Sequence, residues 1–236
     1  SAAVLFDLLG DREAAAFFSR MATAAYAERE RGHTGNFFNV FWAMPGVSRS
    51  GPTATAAYFK EQSWYYDLSR GWDGSCLHQG IPGEGGDSYN RWDATSAFLL
   101  MCALPLKKIT LTGKKPCSAP ALTREETAET IAAGRDFTYW GLDTAYDGRD
   151  TETLFAGLAS WSPAVRKRSA QSLGRRDGDF VPRLLKMIDS ADRNARYGAC
   201  EAFACLGPKA DAAGEKARAL LGDKDPWLKH LAAEAV

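Results

Sequence analysis

Apolar residues recur along this chain at steps of three and four. Leu5, Leu8 and Leu9, then Phe17, Phe18, Met21, Ala22, Ala25 and Tyr26, trace the stripe of a helix, whereas the alternation of a half-buried strand is hard to find. Asp11 stands at a cap position ahead of Glu13 and three alanines, and Gly32 is the expected stop after Glu28 to Arg31, so two helices precede residue 32. The same pattern predicts helices over 52–68, 94–104 (before Pro105), 124–133 and 152–159. The expected fold class is all-α.

Two kinds of internal repetition divide the chain near residue 150. In the first part Arg31-Gly32-His33-Thr34-Gly35 returns 39 residues later as Arg70-Gly71-Trp72-Asp73-Gly74, with an echo at Arg91-Trp92-Asp93-Ala94-Thr95. Each copy falls between predicted helices, and such loops can ring a common axis. In the second part Val165-Arg166, Ala170 and Leu173 return after 30 residues as Ala195-Arg196, Cys200 and Phe203, and after 33 more as Leu228-Lys229, Ala233 and Val236. A helix-start signal opens each copy: Ser162-Pro163, Asp192 and Asp225-Pro226. Companion helices are expected over 180–188 and 212–221, which leaves the third copy without a partner helix and its face around Trp227, Leu228 and Leu231 uncovered. The expected domains are 1–150 and 151–236.

Helix pairs of about 30 residues with small residues at the packing positions resemble HEAT repeats over 151–236. That resemblance implies a region that docks another protein or domain. A second resemblance rests on Gly32-His33-Thr34-Gly35-Asn36-Phe37-Phe38, on Trp64 through Gly74, and on Trp92-Asp93-Ala94-Thr95 through Leu104-Pro105-Leu106-Lys107-Lys108. It is to an uncharacterised bacterial family, the domain of unknown function DUF6288, whose members join a toroid-like helical domain to HEAT repeats. The resemblance implies an α/α-toroid shaped like terpenoid cyclases and protein prenyltransferases, with no established reaction. Residues 1–150 supply too few helix pairs for a closed ring, so a partial toroid followed by a HEAT-like solenoid is expected.

Candidate chemistry lies mainly in the first part. Trp42, Trp64, Trp72, Trp92, Tyr58, Tyr65, Tyr66 and Tyr89 all fall between residues 42 and 92. Lining a toroid cavity, they would hold a cation or stack on a sugar face; the alternative is that they anchor helices in the core. The ligand-binding candidates are Asn36, Trp42, Tyr65, Trp72, Trp92 and Asp93, for a small molecule or glycan. His33, Asp73 and Tyr89 are the catalytic candidates, His33 because an imidazole on a glycine-flanked loop suits proton transfer. Asp73 and Asp93 serve either as acids or as caps of following helices. A polysaccharide lyase or hydrolase is therefore the alternative to a binding protein. Asp73, Cys76 and His78 are adequate zinc ligands chemically, but their spacing is not that of a zinc site, so neither metal nor cofactor is expected. Gly80 to Gly86 reads as a loop, with a lid over the aromatic cluster as one role.

Composition narrows the field further. The 236 residues carry 29 Lys and Arg against 29 Asp and Glu, which excludes a supercharged nucleic-acid binder. Residues 161–236 hold 14 basic against 10 acidic groups. They read as a solvated helix face balanced by Asp177, Asp179 and Asp192, so no nucleic-acid partner is expected. The longest apolar run, Ala97 to Leu106, is roughly half of what a membrane span needs. Five cysteines without framework spacing exclude a disulfide-stapled mini-domain. No phosphate loop and no Gly-x-Ser-x-Gly elbow occur. A start at Ser1 without a leader suggests a processed protein or a fragment of a longer one, and localisation stays open, with the bacterial envelope or export as one reading.

Overall fold

The structure, a computed structural model, describes residues 2–28, 38–78, 92–106, 117–135 and 144–236. Among these residues the fold is all-α, with two isolated backbone bridges as the only extended pairing. The chain forms two compact units, Ser1–Tyr139 and Trp140–Val236.

The first unit contains α1 (Ala2–Leu9), α2 (Arg12–Ala24), α3 (Phe38–Val47), α4 (Pro52–Ser69), α5 (Thr95–Ala103) and α6 (Arg124–Gly134). Asp11 caps α2 by accepting the Ala14 N–H at 2.9 Å. Thr123 and Glu126 close a reciprocal capping box at the start of α6. α2 is central, packing on α1, α3 and α6, while α4 lies against α6 and α3 against α5. Their facing residues, among them Met44, Val47, Tyr58, Tyr65, Phe98, Met101 and Ile131, make one apolar core. The helix expected to run to Arg31 ends instead at Ala24 and tightens into a 3-10 turn over Ala25–Glu28. There α6 passes so close that a Cβ on Gly134 would lie 2.1 Å from the Ala24 carbonyl oxygen.

The second unit contains α7 (Thr151–Leu158), α8 (Pro163–Arg175), α9 (Val181–Ile188), α10 (Arg193–Leu206), α11 (Gly214–Leu220) and α12 (Pro226–Glu234), with a 3-10 segment over Gly207–Ala213. α8, α10 and α12 stack in a row, and α7, α9 and α11 each pack on the helix that follows. The third copy is thus a complete pair, because the companion of α12 precedes it. Leu228 and Leu231, expected to be uncovered, are buried, and only Trp227 of that trio is exposed.

The repeat extends to single hydrogen bonds in the turns. The Ser162 N–H donates to Ser160 Oγ (3.2 Å), the Asp192 N–H to Ser190 Oγ (3.1 Å) and the Asp225 N–H to Asp223 Oδ1 (2.9 Å). These turns are spaced by 30 and then 33 residues, as the helices are. Small residues allow the close approach: a Cβ on Gly198 of α10 would lie 2.0 Å from the Leu158 carbonyl oxygen of α7.

Candidate functional site

Chemistry-bearing residues of the first unit gather where α4 ends. The chain reverses through Arg70 to Cys76, closed by an antiparallel bridge between those two residues. The Gly71 N–H donates to the Ser75 carbonyl at 2.7 Å, and the Gly74 N–H to the Gly71 carbonyl at 3.1 Å. Gly74 has φ +85°, a conformation that costs glycine nothing. Asp73 Oδ1 accepts from both the N–H (3.0 Å) and the hydroxyl (2.7 Å) of Ser75.

The third copy of the Trp-Asp repeat lies alongside. Leu77 and Asp93 form an antiparallel bridge. The His78 N–H donates to the Trp92 carbonyl (2.9 Å) and the Ala94 N–H to the Cys76 carbonyl (2.7 Å). The Cys76 N–H donates to Thr95 Oγ1 (2.8 Å), and Asp93 accepts the Thr95 N–H (2.9 Å) as α5 begins. Two Trp-Asp pairs, 20 residues apart in sequence, therefore sit on adjoining turns. Hydrogen bonds from the Ser75 side chain and backbone hold the Asp73 carboxyl below its ordinary pKa, and those from Thr95 do the same for Asp93. The nearby Asp73 charge pushes Asp93 the other way, which marks the two carboxylates as neighbours. Asp73 closes its own turn and no helix begins at it; Asp93 stands at the start of α5.

The aromatic candidates separate by environment. Trp72 is wholly exposed, Trp92 and Trp42 about half so. Tyr65 is buried in the core, 6.3 Å from the Phe98 ring in a stacked arrangement, with Trp64 and Tyr66 edge-on. His33, Asn36 and Tyr89 lie outside the described residues, as do the first repeat copy at 31–35 and the loop 80–86. Of the three zinc candidates, His78 is fully buried while Asp73 is exposed. Among the described residues no group of three or more His, Cys, Asp or Glu is placed to hold a metal.

In the second unit the basic residues read as a solvated face divide: Lys167, Arg175 and Arg193 are exposed, Arg176 and Arg196 partly buried, and two are drawn inward. Arg166 and Arg168 are buried. Arg175 pairs with Asp147 (2.6 Å), Arg183 with Glu152 (2.5 Å) and Arg196 with Asp223 (2.6 Å), while Arg176 donates to Thr151 and to the carbonyls of Asp147 and Arg149. Patterning did not single out Glu201, which is buried on α10 opposite Arg166; burial pushes its carboxyl up to about 7 against the pull of Arg166. A charged residue among the small residues of α10 was the only signal available. At repeat-equivalent positions Ala170, Leu173, Cys200 and Phe203 are buried, whereas Ala233 of α12 and Val236 beyond it are exposed; the ring of Trp227 lies 5.0 Å from that of His230.

These features define a helical unit followed by a stack of HEAT-type helix pairs. Residues 1–113 match the family model of a domain of unknown function (DUF6288), and residues 151–236 match HEAT repeats. The first match covers α1 to α5; α6 lies beyond it yet packs within the same compact unit. No curated protein and no solved structure matches the chain.

Proposed function

We propose that this chain acts by binding, with a domain boundary near residue 150, and that its HEAT region docks another protein through the surface of α12 around Trp227. The supporting observation is a large aromatic displayed on a repeat helix: Trp227 is about half exposed on α12, with its ring 5.0 Å from that of His230. An exposed tryptophan beside the His230–Glu234 pair (3.5 Å) suits a segment of a protein partner that offers both apolar and polar contacts. The intramolecular use of Arg166, Arg168, Arg175, Arg176 and Arg196 weighs against a nucleic-acid backbone as that partner. No helix among the described residues is long and apolar enough to cross a membrane.

The first unit adds a second contact surface, built on Trp42, Trp72, Trp92 and Asp93. Asp73, the described member of the His33, Asp73 and Tyr89 set, is exposed and held below its ordinary pKa by Ser75, which disfavours it as the general acid of a hydrolase. A general acid needs the opposite shift. The test of the α12 face is a photo-crosslinking residue at position 227, compared with one at the exposed position 219 on α11, in cells that make the protein. A discrete protein adduct from 227 alone is expected; no adduct, or equal yield from both sites, overturns the reading.

A further inference from the structure

Trp72 is as exposed in the folded protein as in an unfolded chain. Its ring therefore adds nothing to folding, yet the turn that carries it is fixed by the Arg70–Cys76 bridge, by two backbone hydrogen bonds and by the Asp73–Ser75 contacts. A large side chain displayed on a rigid turn binds at low entropic cost, because little ordering remains to be done. Trp92 repeats the arrangement at half exposure on the adjoining turn, which is tied to the first through residues 76–78.

Charge selects the class of partner. Asp73 and Asp93 each commit Oδ1 to their own turn, which leaves Oδ2 of each as an anionic acceptor toward solvent. Among the described residues, Asp67 at the end of α4 adds a third exposed carboxylate, against the guanidinium of Arg70. Indole faces attract cations through the ring quadrupole, and exposed carboxylates accept from ammonium and guanidinium donors. A neutral sugar would use the rings but leave the negative field unanswered.

We propose that the paired turns Trp72-Asp73 and Trp92-Asp93 form a docking surface for a basic, arginine- or lysine-bearing segment of a partner protein. This deepens the reading of the first unit as a contact surface and rests on it. It is independent of the α12 face.

The test uses the full chain and three fluorescently labelled probes: a short peptide alternating Arg and Gly, the same peptide with Glu for Arg, and a neutral cello-oligosaccharide. The Arg peptide is expected to bind with a Kd of about 0.1 mM or tighter, and the Glu peptide not to bind. Trp72→Ala should weaken binding about tenfold, since an exposed tryptophan anchor is worth more than 1 kcal/mol. Asp73→Asn with Asp93→Asn keeps an Oδ1 acceptor for all three turn hydrogen bonds while removing the charges, and should both weaken binding and flatten its dependence on salt. Because Trp72 is fully exposed, the variant folds, and an unchanged thermal melt verifies it. Equal binding by all variants overturns the proposal. Binding of the oligosaccharide alone, lost in Trp72→Ala, overturns the basic segment but keeps the contact surface; binding of neither probe overturns both.

Discussion

Arg166 on α8 and Glu201 on α10 face each other across the helix stack, Nε to Oε1 at 3.7 Å, with side chains only 3% and 8% exposed. The contact is an ion pair without a short hydrogen bond between the two groups. Arg166 instead donates through Nη1 to the carbonyls of Ser160 (2.9 Å) and Trp161 (3.3 Å), and its guanidinium lies 5.4 Å from the centre of the Tyr197 ring. Glu201 Oε2 is buried and accepts no hydrogen bond. Lys167 pulls the carboxyl's pKa down and Glu234 pushes it up, but burial outweighs them.

The pH dependence follows from that burial. Glu201 titrates near 7 in the folded chain and near 4.5 when unfolded, so the folded state holds the extra proton between those values. Stability contributed by the protonated carboxyl is complete at low pH and is lost as pH rises through 4.5 to 7. The loss is on the order of 1–3 kcal/mol. Glu201→Gln should flatten urea-melt stability across this window and exceed the parent in stability above pH 7.

Gly198→Ala forces a methyl against the Leu158 carbonyl and should destabilise by at least about 2 kcal/mol by separating α7 from α10. Gly148→Ala, with nothing within 4 Å of the added atom, is the matched control. It should change stability by less than about 0.5 kcal/mol in the same thermal melts.

Asp7 ties α1 to the rest of the first unit, bonding Arg49 (2.9 Å) and the N–H and hydroxyl of Ser118 (2.8 and 2.7 Å). Partial burial raises its pKa, but the Ser118 and Arg49 hydrogen bonds outweigh this and leave it lowered. Its stabilisation is therefore present above the unfolded carboxyl range and disappears as pH falls through the lowered folded value. Asp7→Asn should cost about 1–3 kcal/mol at neutral pH, with faster amide exchange at residues 117–122. Unchanged exchange there would mean that other contacts hold the segment.

The two candidate aromatics Trp72 and Tyr65 should respond oppositely to truncation. Trp72→Ala is expected to leave the melting temperature unchanged, whereas Tyr65→Ala opens a core cavity and should cost about 3–5 kcal/mol. Equal losses would contradict the burial difference on which both assignments rest.

How much of this was legible depends on how local each signal is. The HEAT pairs were readable because α8, α10 and α12 repeat both their small packing residues and their turn signals, so each copy corroborates the others. α3 was not anticipated, because Pro45 and Gly46 in its last turns read as breakers, while its packing on α2 and α5 is invisible in sequence. The Trp-Asp repeat was visible as text. Its side-by-side placement was not, since backbone pairing of residues 76–78 with 92–94 carries no periodicity. Arg166 and Arg168 looked like solvent-facing charges for the same reason: what buries them comes from other elements.

The 3-10 segment Gly207–Ala213 supplies two of the three residues by which the third copy arrives late, with α12 still packing on α10. It occupies the link from α10 to α11, where the first link of this kind, between α8 and α9, has no such helix, and Lys209 spans from it to the carbonyls of Gly174 (3.5 Å) and Arg176 (3.2 Å) at the end of α8. It works as an expansion joint. Extra length is taken up beside the row of α8, α10 and α12 rather than within it, so this link can grow or shrink in step with a changing sequence while the same side chains continue to meet.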